Sequence, residues 1–596
     1  MNFKKLANSA LAVLLAFGLA FPAPALATVE NETETATEEE TAAALESGVE
    51  GMPAVGSEEA AAANGETAGD EDAAAAADAD DATLDDLEAE LAAGGSIKVY
   101  SVSGSTRYDT AVAAAKKAYP DGVASQTAIV VCGGDDSWAD SLSASSLAGL
   151  VDCPILYTDT YYLPDATSQA LGQLGVSNVL VVGGDGVVSD DVVSSLSGIC
   201  SSVQRIAGSS RYETQLAVYE YGADVGTWSS SVIVASGSSF ADALSASPIA
   251  FSKKMPIFLS APDENLTYSQ VEALLDSESG VTSFMIAGGT SAVSSTMDSF
   301  LAGVLVKSTG SYDTSKVERL AGGDRYDTSW QVASWGASNG YLGWDQAGFA
   351  SGSKAADALA GCVLQGKRSA PMLLLGDDLW TAGQLASHSP SSVSVYGGTA
   401  VVSATARNGI AKKLGYGLTQ IEGFKVYVDA GHGYNNTGTG AWDSGACGCG
   451  YQEANLTAEL AQKVASRLRA DGVDVFLNDD GGPYKYRHGE AVANDCNVIV
   501  SIHFNAGGGS GSMSLVHEYN ACEYSWSVAQ TLHPYLVAGT GLHDYGIRGQ
   551  EVAILGGQLP AVLLEVAFID NSSDMNAYQS RKDTVAEKIA TGIEAL

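Results

Sequence analysis

Apolar positions along most of this chain alternate between two rhythms. Short aliphatic runs such as Ala128 to Val131, Pro154 to Tyr157 and Val179 to Val182 are separated by Ala- and Ser-rich amphipathic stretches. Continuous aliphatic runs predict strands buried on both faces, and the stretches between them predict helices that cover those faces. The pattern is that of α/β modules with parallel sheets, and it holds from about residue 98 onward. Upstream it breaks down. Lys4 and Lys5 precede an apolar run from Leu11 to Phe21, and Ala25-Leu26-Ala27 follows, which predicts an export signal over residues 1–27 with a mature start at Thr28. Pro22 and Pro24 break that run, which is too short to span a bilayer comfortably. Residues 28–95 hold Ala runs between Glu and Asp and no aromatics, and predict a solvated, disordered tether. Nothing later resembles a membrane span or a sorting signal, so no membrane span is expected once the signal is removed.

Between about 98 and 415 the pattern repeats. Arg107-Tyr108-Asp109-Thr110 recurs as Arg211-Tyr212-Glu213-Thr214 and Arg325-Tyr326-Asp327-Thr328. Ala139-Asp140-Ser141-Leu142 recurs as Ala241-Asp242-Ala243-Leu244 and Ala356-Asp357-Ala358-Leu359, and Val182-Gly183-Gly184 recurs as Ala287-Gly288-Gly289 and Tyr396-Gly397-Gly398. Three markers in one order define units over 98–203, 204–317 and 318–416. Each unit is long enough to be a small domain, not a solenoid repeat of roughly 20–50 residues. The Gly-Gly pairs read as tight turns at strand ends, since none carries the full dinucleotide fingerprint. The Arg and the acid of the first marker lie two positions apart and read as an internal ion pair or a cap.

Composition narrows the function classes. A length of 596 residues suggests about four domains. The formal charge of −41 excludes a nucleic-acid binder that depends on a basic footprint. About half of that charge sits in the tether, which holds 21 acidic residues and no Lys or Arg. The eight cysteines are few for an exported chain of this size and do not suggest a disulfide framework, so stability must come from cores. Cys447-Gly448-Cys449 is spaced too closely for the usual metal motif.

Six of the seven histidines lie after Tyr416. Lys425 to Asp429 predicts a strand followed at once by Gly431-His432-Gly433. Glu453 opens a helix whose apolar face is Leu456, Leu460, Val464 and Leu468, and Val498 to Ile502 predicts a buried strand ending in His503. Strand ends and helix starts are where α/β folds gather ligands. Two His and one Glu make a three-ligand zinc set that leaves a position open, as in catalytic sites. Glu565, an acid inside the apolar strand Val562 to Ile569, is a candidate proton carrier. From spacing alone, any one His is more often a core or solvated residue than a ligand, and Glu565 could be a structural ion pair. His517-Glu518 fails as a metalloprotease start because Ala521 stands where the partner His belongs.

Two resemblances give these patterns a meaning. The repeats resemble the type 2 cell-wall-binding repeats that Gram-positive bacteria use in threes, which implies Rossmann-like α/β modules gripping an anionic secondary wall polymer. The first unit departs in Cys132-Gly133-Gly134, where the second has Ala235-Ser236-Gly237, and the third has Ala355 where the second has Phe240. In the last 170 or so residues, Val428-Asp429-Ala430-Gly431-His432-Gly433, Gln452-Glu453-Ala454-Asn455-Leu456, Ser501-Ile502-His503-Phe504-Asn505 and Leu564-Glu565-Val566-Ala567-Phe568-Ile569-Asp570-Asn571 resemble the zinc-dependent N-acetylmuramoyl-L-alanine amidases. That resemblance implies a fourth domain, 424–596, with a mixed twisted sheet. His432, Glu453 and His503 would bind Zn2+, Glu565 would be the catalytic base and acid on a zinc-activated water, and Arg487 would serve substrate binding or sheet support. Tyr434 replaces a common Gly, Ala567 replaces the Gly of the last motif, and Asn478-Asp479 stands where Thr-Arg is usual; none removes a ligand. The expectation is a secreted enzyme held non-covalently on a Gram-positive cell wall, cleaving the N-acetylmuramic acid to L-alanine amide of peptidoglycan. The alternatives are a non-catalytic wall-bound adhesin or scaffold, or a zinc peptidase cutting within the stem peptide.

Overall fold

The computed structural model describes residues 97–135, 137–261, 265–276, 280–479 and 481–596. The predicted export signal and tether lie outside the described residues. No helix among the described residues is long and apolar enough to cross a membrane.

The first part of the repeat region runs β1 (Val99–Val102), α1 (Arg107–Ala118), β2 (Thr127–Cys132), α2 (Trp138–Val151), β3 (Ile155–Thr158), α3 (Asp165–Gln173), β4 (Asn178–Val182) and α4 (Asp190–Ser197). The second runs β5 (Ser202–Ile206), α5 (Arg211–Val225), β6 (Ser231–Ser236), α6 (Ala241–Lys253), β7 (Ile257–Ser260), α7 (Tyr268–Leu275), β8 (Ser283–Ala287) and α8 (Thr296–Thr309). The third runs β9 (Val317–Leu320), α9 (Arg325–Ser338), β10 (Gly348–Ser351), α10 (Ala355–Arg368), β11 (Met372–Leu375), α11 (Trp380–Ala386), β12 (Val393–Tyr396) and α12 (Ala404–Lys413). They form three all-parallel four-stranded sheets in the orders β3-β2-β4-β5, β7-β6-β8-β9 and β1-β12-β10-β11. The strand opening each sequence unit thus completes its neighbour's sheet. The boundaries drawn from the periodicity, 203/204 and 317/318, fall inside β5 and β9, whereas the sheets cut the chain just after these strands. β1 closes the ring by pairing with β12 at the far end of the region.

Helices α2, α6 and α10 pack together at the centre, which explains why they are apolar or small on nearly every side. The repeat markers line the seams. Each marker Arg donates to a glycine carbonyl after the next strand, Arg107 to Gly133 at 2.5 Å, Arg211 to Gly237 at 2.7 Å and Arg325 to Gly352 at 2.7 Å. The marker acid does not pair with that Arg. Asp109 instead forms a capping box with Thr106 at the start of α1. Burial lifts the carboxyls of Asp140 and Asp242 to about 6, opposed by Arg211 and Thr214 of the next unit for Asp140 and by Arg325 for Asp242. Asp357 is raised by burial in the same way, opposed by Thr110 and Arg107. The Gly-Gly turns follow from these acids: Gly183, Gly288 and Gly397 sit at φ 127°, 124° and 101°, and a Cβ on each would press on the carboxylate of Asp140, Asp242 or Asp357.

The C-terminal region runs β13 (Lys425–Ala430), β14 (Gly433–Tyr434), β15 (Trp442–Asp443), β16 (Cys447–Gly448), β17 (Tyr451–Gln452), α13 (Glu453–Ala470), β18 (Asp474–Asn478) and α14 (Arg487–Ala493). It continues as β19 (Val498–Asn505), β20 (Ser512–Val516), α15 (Ser525–Thr540), β21 (Asp544–Gly549), β22 (Ala561–Phe568) and α16 (Ser572–Glu594). Six strands make one mixed sheet, β18-β13-β19-β22-β20-β21, in which only the β20–β22 pair is antiparallel. Alternation along β13 sends Val426 and Val428 under α13, α15 and α16, and Tyr427 to the opposite face with Ile499, Leu563 and Ala491 of α14. The first of these cores runs without a break into the third module through Leu418, Ile421 and Phe424. Buried Asn408 and Asn497 seal that seam reciprocally: Asn408 donates to the Asn497 carbonyl at 2.7 Å, and Asn497 donates to the Asn408 amide oxygen at 2.9 Å.

Candidate active site

The parallel core of the sheet delivers the expected residues to one end. His432 follows β13, Glu453 is the first residue of α13, and His503 and Glu565 are directly paired on neighbouring strands β19 and β22. His503 lies inside its strand, two residues before the strand ends, so its side chain and that of Glu565 leave the same face.

His432, Glu453 and His503 bring three donor atoms within 4.8 Å of one another. Glu453 is the centre of the cluster. One oxygen meets His503 Nδ1 at 3.0 Å and accepts the Phe504 backbone N–H at 3.0 Å, and the other meets His432 Nε2 at 3.1 Å and accepts the Ala446 N–H at 2.8 Å. Burial would raise the Glu453 carboxyl, yet the two imidazoles hold it far below the usual range. Burial would likewise lower His432, but Glu453 and Asp443 outweigh it and raise the ring to about 9. Converging anionic and imidazole donors on a mostly buried site are what a divalent transition metal requires, and this donor set fits zinc.

The backbone is shaped around this cluster. His432 sits at φ 66°, a conformation sparsely populated by non-glycine residues. A Cβ on Gly431 would strike the His503 ring, so that position needs glycine. Asp443, carried back by β15, receives His432 Nδ1 at 2.9 Å and is itself held by Asn436 Nδ2 at 2.6 Å and the Gly445 N–H at 2.9 Å. This arrangement fixes the tautomer and orientation that leave Nε2 free for the cluster.

Glu565 stands apart electrostatically. Its Oε2 is buried and has no hydrogen-bond partner among the described residues. Burial lifts its carboxyl to about 7; His503 and His432 pull it down and Glu453 pushes it up. The two neighbouring carboxyls are thus shifted in opposite directions, Glu453 down and Glu565 up.

Arg487 is buried, with its N–H groups directed to Asp429 Oδ1 at 2.8 Å and to the carbonyls of Ala430 and His432, both at 2.9 Å. These contacts make it a support for the end of β13 and the turn that carries His432. The remaining C-terminal histidines are not in the cluster. His533 bridges Ser514 and Asp544, His488 bridges Ile554 and Leu559, and His517 accepts the N–H groups of Tyr519 and Asn520.

The profile of the family described as N-acetylmuramoyl-L-alanine amidase matches residues 426–595, and that of cell wall binding domain 2 matches 102–193, 205–298 and 319–407. The N-acetylmuramoyl-L-alanine amidase LytC of Bacillus subtilis is 28% identical over 509 residues, which is 83% of this chain and 93% of LytC. The uncharacterized protein YqiI of B. subtilis is 30% identical over 183 residues, covering 29% of this chain and 85% of that protein. Among solved structures, the catalytic domain of CwlV, an N-acetylmuramoyl-L-alanine amidase from Bacillus (Paenibacillus) polymyxa, is 31% identical over 28% of this chain and 96% of that domain, with a TM-score of 0.26.

The chain belongs to the N-acetylmuramoyl-L-alanine amidase family. Its cell wall binding repeats precede the catalytic domain. Sequence reasoning on this amidase missed Asp443 and Asp429, the partners of His432 and Arg487. The signal for Asp443 was present. A ligand His normally gives its second nitrogen to a carboxylate, and Asp443 is an acid in the segment between His432 and Glu453.

Proposed function

We propose that this peptidoglycan amidase hydrolyses the amide joining N-acetylmuramic acid to L-alanine, with zinc held by His432, Glu453 and His503 and with Glu565 as the proton carrier. The observation that carries the reading is the adjacency of a three-donor cluster to a carboxyl one of whose oxygens is buried without a hydrogen-bond partner among the described residues. Zinc in that cluster would polarise the amide carbonyl, acidify water and stabilise the oxyanion. Glu565 takes the proton of the attacking water and returns it to the departing L-alanine nitrogen. A carboxyl near 7 suits both roles at neutral pH. Asp443 keeps His432 oriented, and Arg487 keeps the His432 carbonyl and the β13 end in place. Glu453 remains ionised throughout.

The chain is associated with the cell wall through its repeats; we assign their ligand as an anionic secondary wall polymer and the protein as secreted by the signal at 1–27. Chelation is expected to abolish activity and zinc to restore it. The Glu565→Gln variant is expected to bind one zinc per chain and turn over no peptidoglycan. Metal-independent cleavage, or an active Glu565→Gln variant, would reject the assignment.

A further inference from the structure

We infer that the hairpin joining His432 to Asp443 is a sugar-binding rim that seats the glycan strand beside the catalytic cluster. The inference rests on the amidase reading for its substrate. The two faces of this hairpin differ. Asp443, cross-strand from Gly433, turns in to the His432 ring, whereas Tyr434 and Trp442 are the other cross-strand pair and stand 57% and 53% exposed. An exposed aromatic pair beside a cluster of reactive side chains is a candidate contact surface. Tyr434 is two residues from the ligand His432, so their Cα atoms lie within about 7 Å.

The rim is braced and extended by a second segment. Gly482 N–H donates to the Tyr434 carbonyl at 2.8 Å and Tyr484 N–H to the Asn436 carbonyl at 2.9 Å, which places the exposed Tyr484 and Tyr486 on the turn beside the hairpin. Arg487, next in sequence, donates to the His432 carbonyl. Both aromatic pairs are thus tied to His432, the first along the chain and the second through the Arg487 guanidinium.

The chemistry of the hairpin selects the occupant. Residues 433–442, Gly-Tyr-Asn-Asn-Thr-Gly-Thr-Gly-Ala-Trp, carry no charge. Stem peptides present carboxylates and amines, for which the hairpin itself offers no counter-charge; the one charge on the bracing segment, Lys485, lies over the Tyr486 ring at 5.0 Å. A neutral N-acetylated pyranose has apolar C–H faces that stack on aromatic rings, and hydroxyl and amide edges that suit Asn and Thr. The amide to be cut is attached to such a sugar, so the sugar must lie next to the cluster, where the hairpin stands.

The test is binding of a peptide-free β-1,4-linked tetramer of N-acetylglucosamine to the full chain by calorimetry. That oligomer lacks the scissile amide, so failure of the catalytic reading leaves the result intact. Tyr434→Ala/Trp442→Ala is expected to weaken binding roughly tenfold or more. The ring-retaining Tyr434→Phe/Trp442→Phe is expected to bind within about threefold of wild type, as is Tyr519→Ala, an exposed tyrosine outside this hairpin. On intact peptidoglycan the double alanine variant is expected to raise KM more than it lowers kcat. No binding by wild type, equal binding by wild type and the double alanine variant, or equal losses in the alanine and ring-retaining variants would each overturn the proposal.

Discussion

Replacing Glu565 with glutamine is expected to stabilise the metal-free protein at alkaline pH while abolishing turnover. The carboxyl titrates near 7 in the folded chain against 4.5 for an unperturbed glutamate, with burial as the largest cause. Between those values the native state holds a proton that the unfolded chain has released. Stability from this group is therefore full below about 4.5 and falls as pH rises, by about 1.4 kcal/mol per unit, until the folded carboxyl has ionised. The total loss is about 3 kcal/mol. Glutamine does not titrate, so the difference between variant and wild type is expected to grow by that amount from pH 4.5 to pH 8. Any constant difference between a buried amide and a buried neutral carboxyl cancels in this comparison. For a cooperative unit of 150–250 residues, about 3 kcal/mol corresponds to a Tm difference of roughly 6–12 °C. Scanning calorimetry of both proteins in chelator at the two pH values measures it. A Tm difference that is the same at both pH values would refute the reasoning, because Glu565 would then not be buried against its charge.

Further outcomes follow from the same geometry. His503→Ala is expected to lose stoichiometric zinc, measured by metal analysis of the purified chain. Asp443→Asn is expected to keep the fold and weaken zinc by about 10–100-fold, measured by competition with a chromophoric chelator. Asn408→Ala leaves a buried amide of Asn497 without its partner at the seam with the third module. It is expected to cost about 1–3 kcal/mol, seen as a lowered Tm for the catalytic domain. The acid limb of kcat/KM is expected at or below about 7, since Glu565 must be ionised to accept a proton; a limb well above 7 would assign it to another group.

Much of the fold was legible because its strands are buried on both faces and read as unbroken aliphatic runs. Thr127–Cys132 and Asn178–Val182 differ from the runs at 128–131 and 179–182 by at most a residue at each end. What local pattern could not show is which sheet a strand joins. Val99–Val102 precedes the first marker as Ser202–Ile206 precedes the second, and only ring closure decides that it pairs with β12. Of the two readings of the first marker, the cap holds at Asp109 and the ion pair fails for the same reason: the Arg residues reach carbonyls 26 or 27 residues away, beyond a local argument. At the catalytic end, His432, Glu453 and His503 could be singled out because strand ends and helix starts are visible in sequence. His488 and His533 could not be set aside beforehand, since their partners Ile554, Leu559, Ser514 and Asp544 are distant in sequence and only folding brings them together. Arg487 showed as a conspicuous charge, but its burial against Asp429 depends on β13 and α14 meeting across the sheet end.

The central claim is a bond, and the most direct measurement is to identify the ends released when the zinc-loaded full chain acts on purified peptidoglycan. Mass spectrometry of the soluble products is expected to find stem peptides with free L-alanine amino termini and glycan strands bearing an intact lactyl carboxylate, with both absent for Glu565→Gln. New ends within the stem peptide would make the protein a peptidase. No release by a chain that holds zinc would leave it a wall-bound scaffold, and either result would contradict the assignment made from His432, Glu453, His503 and Glu565.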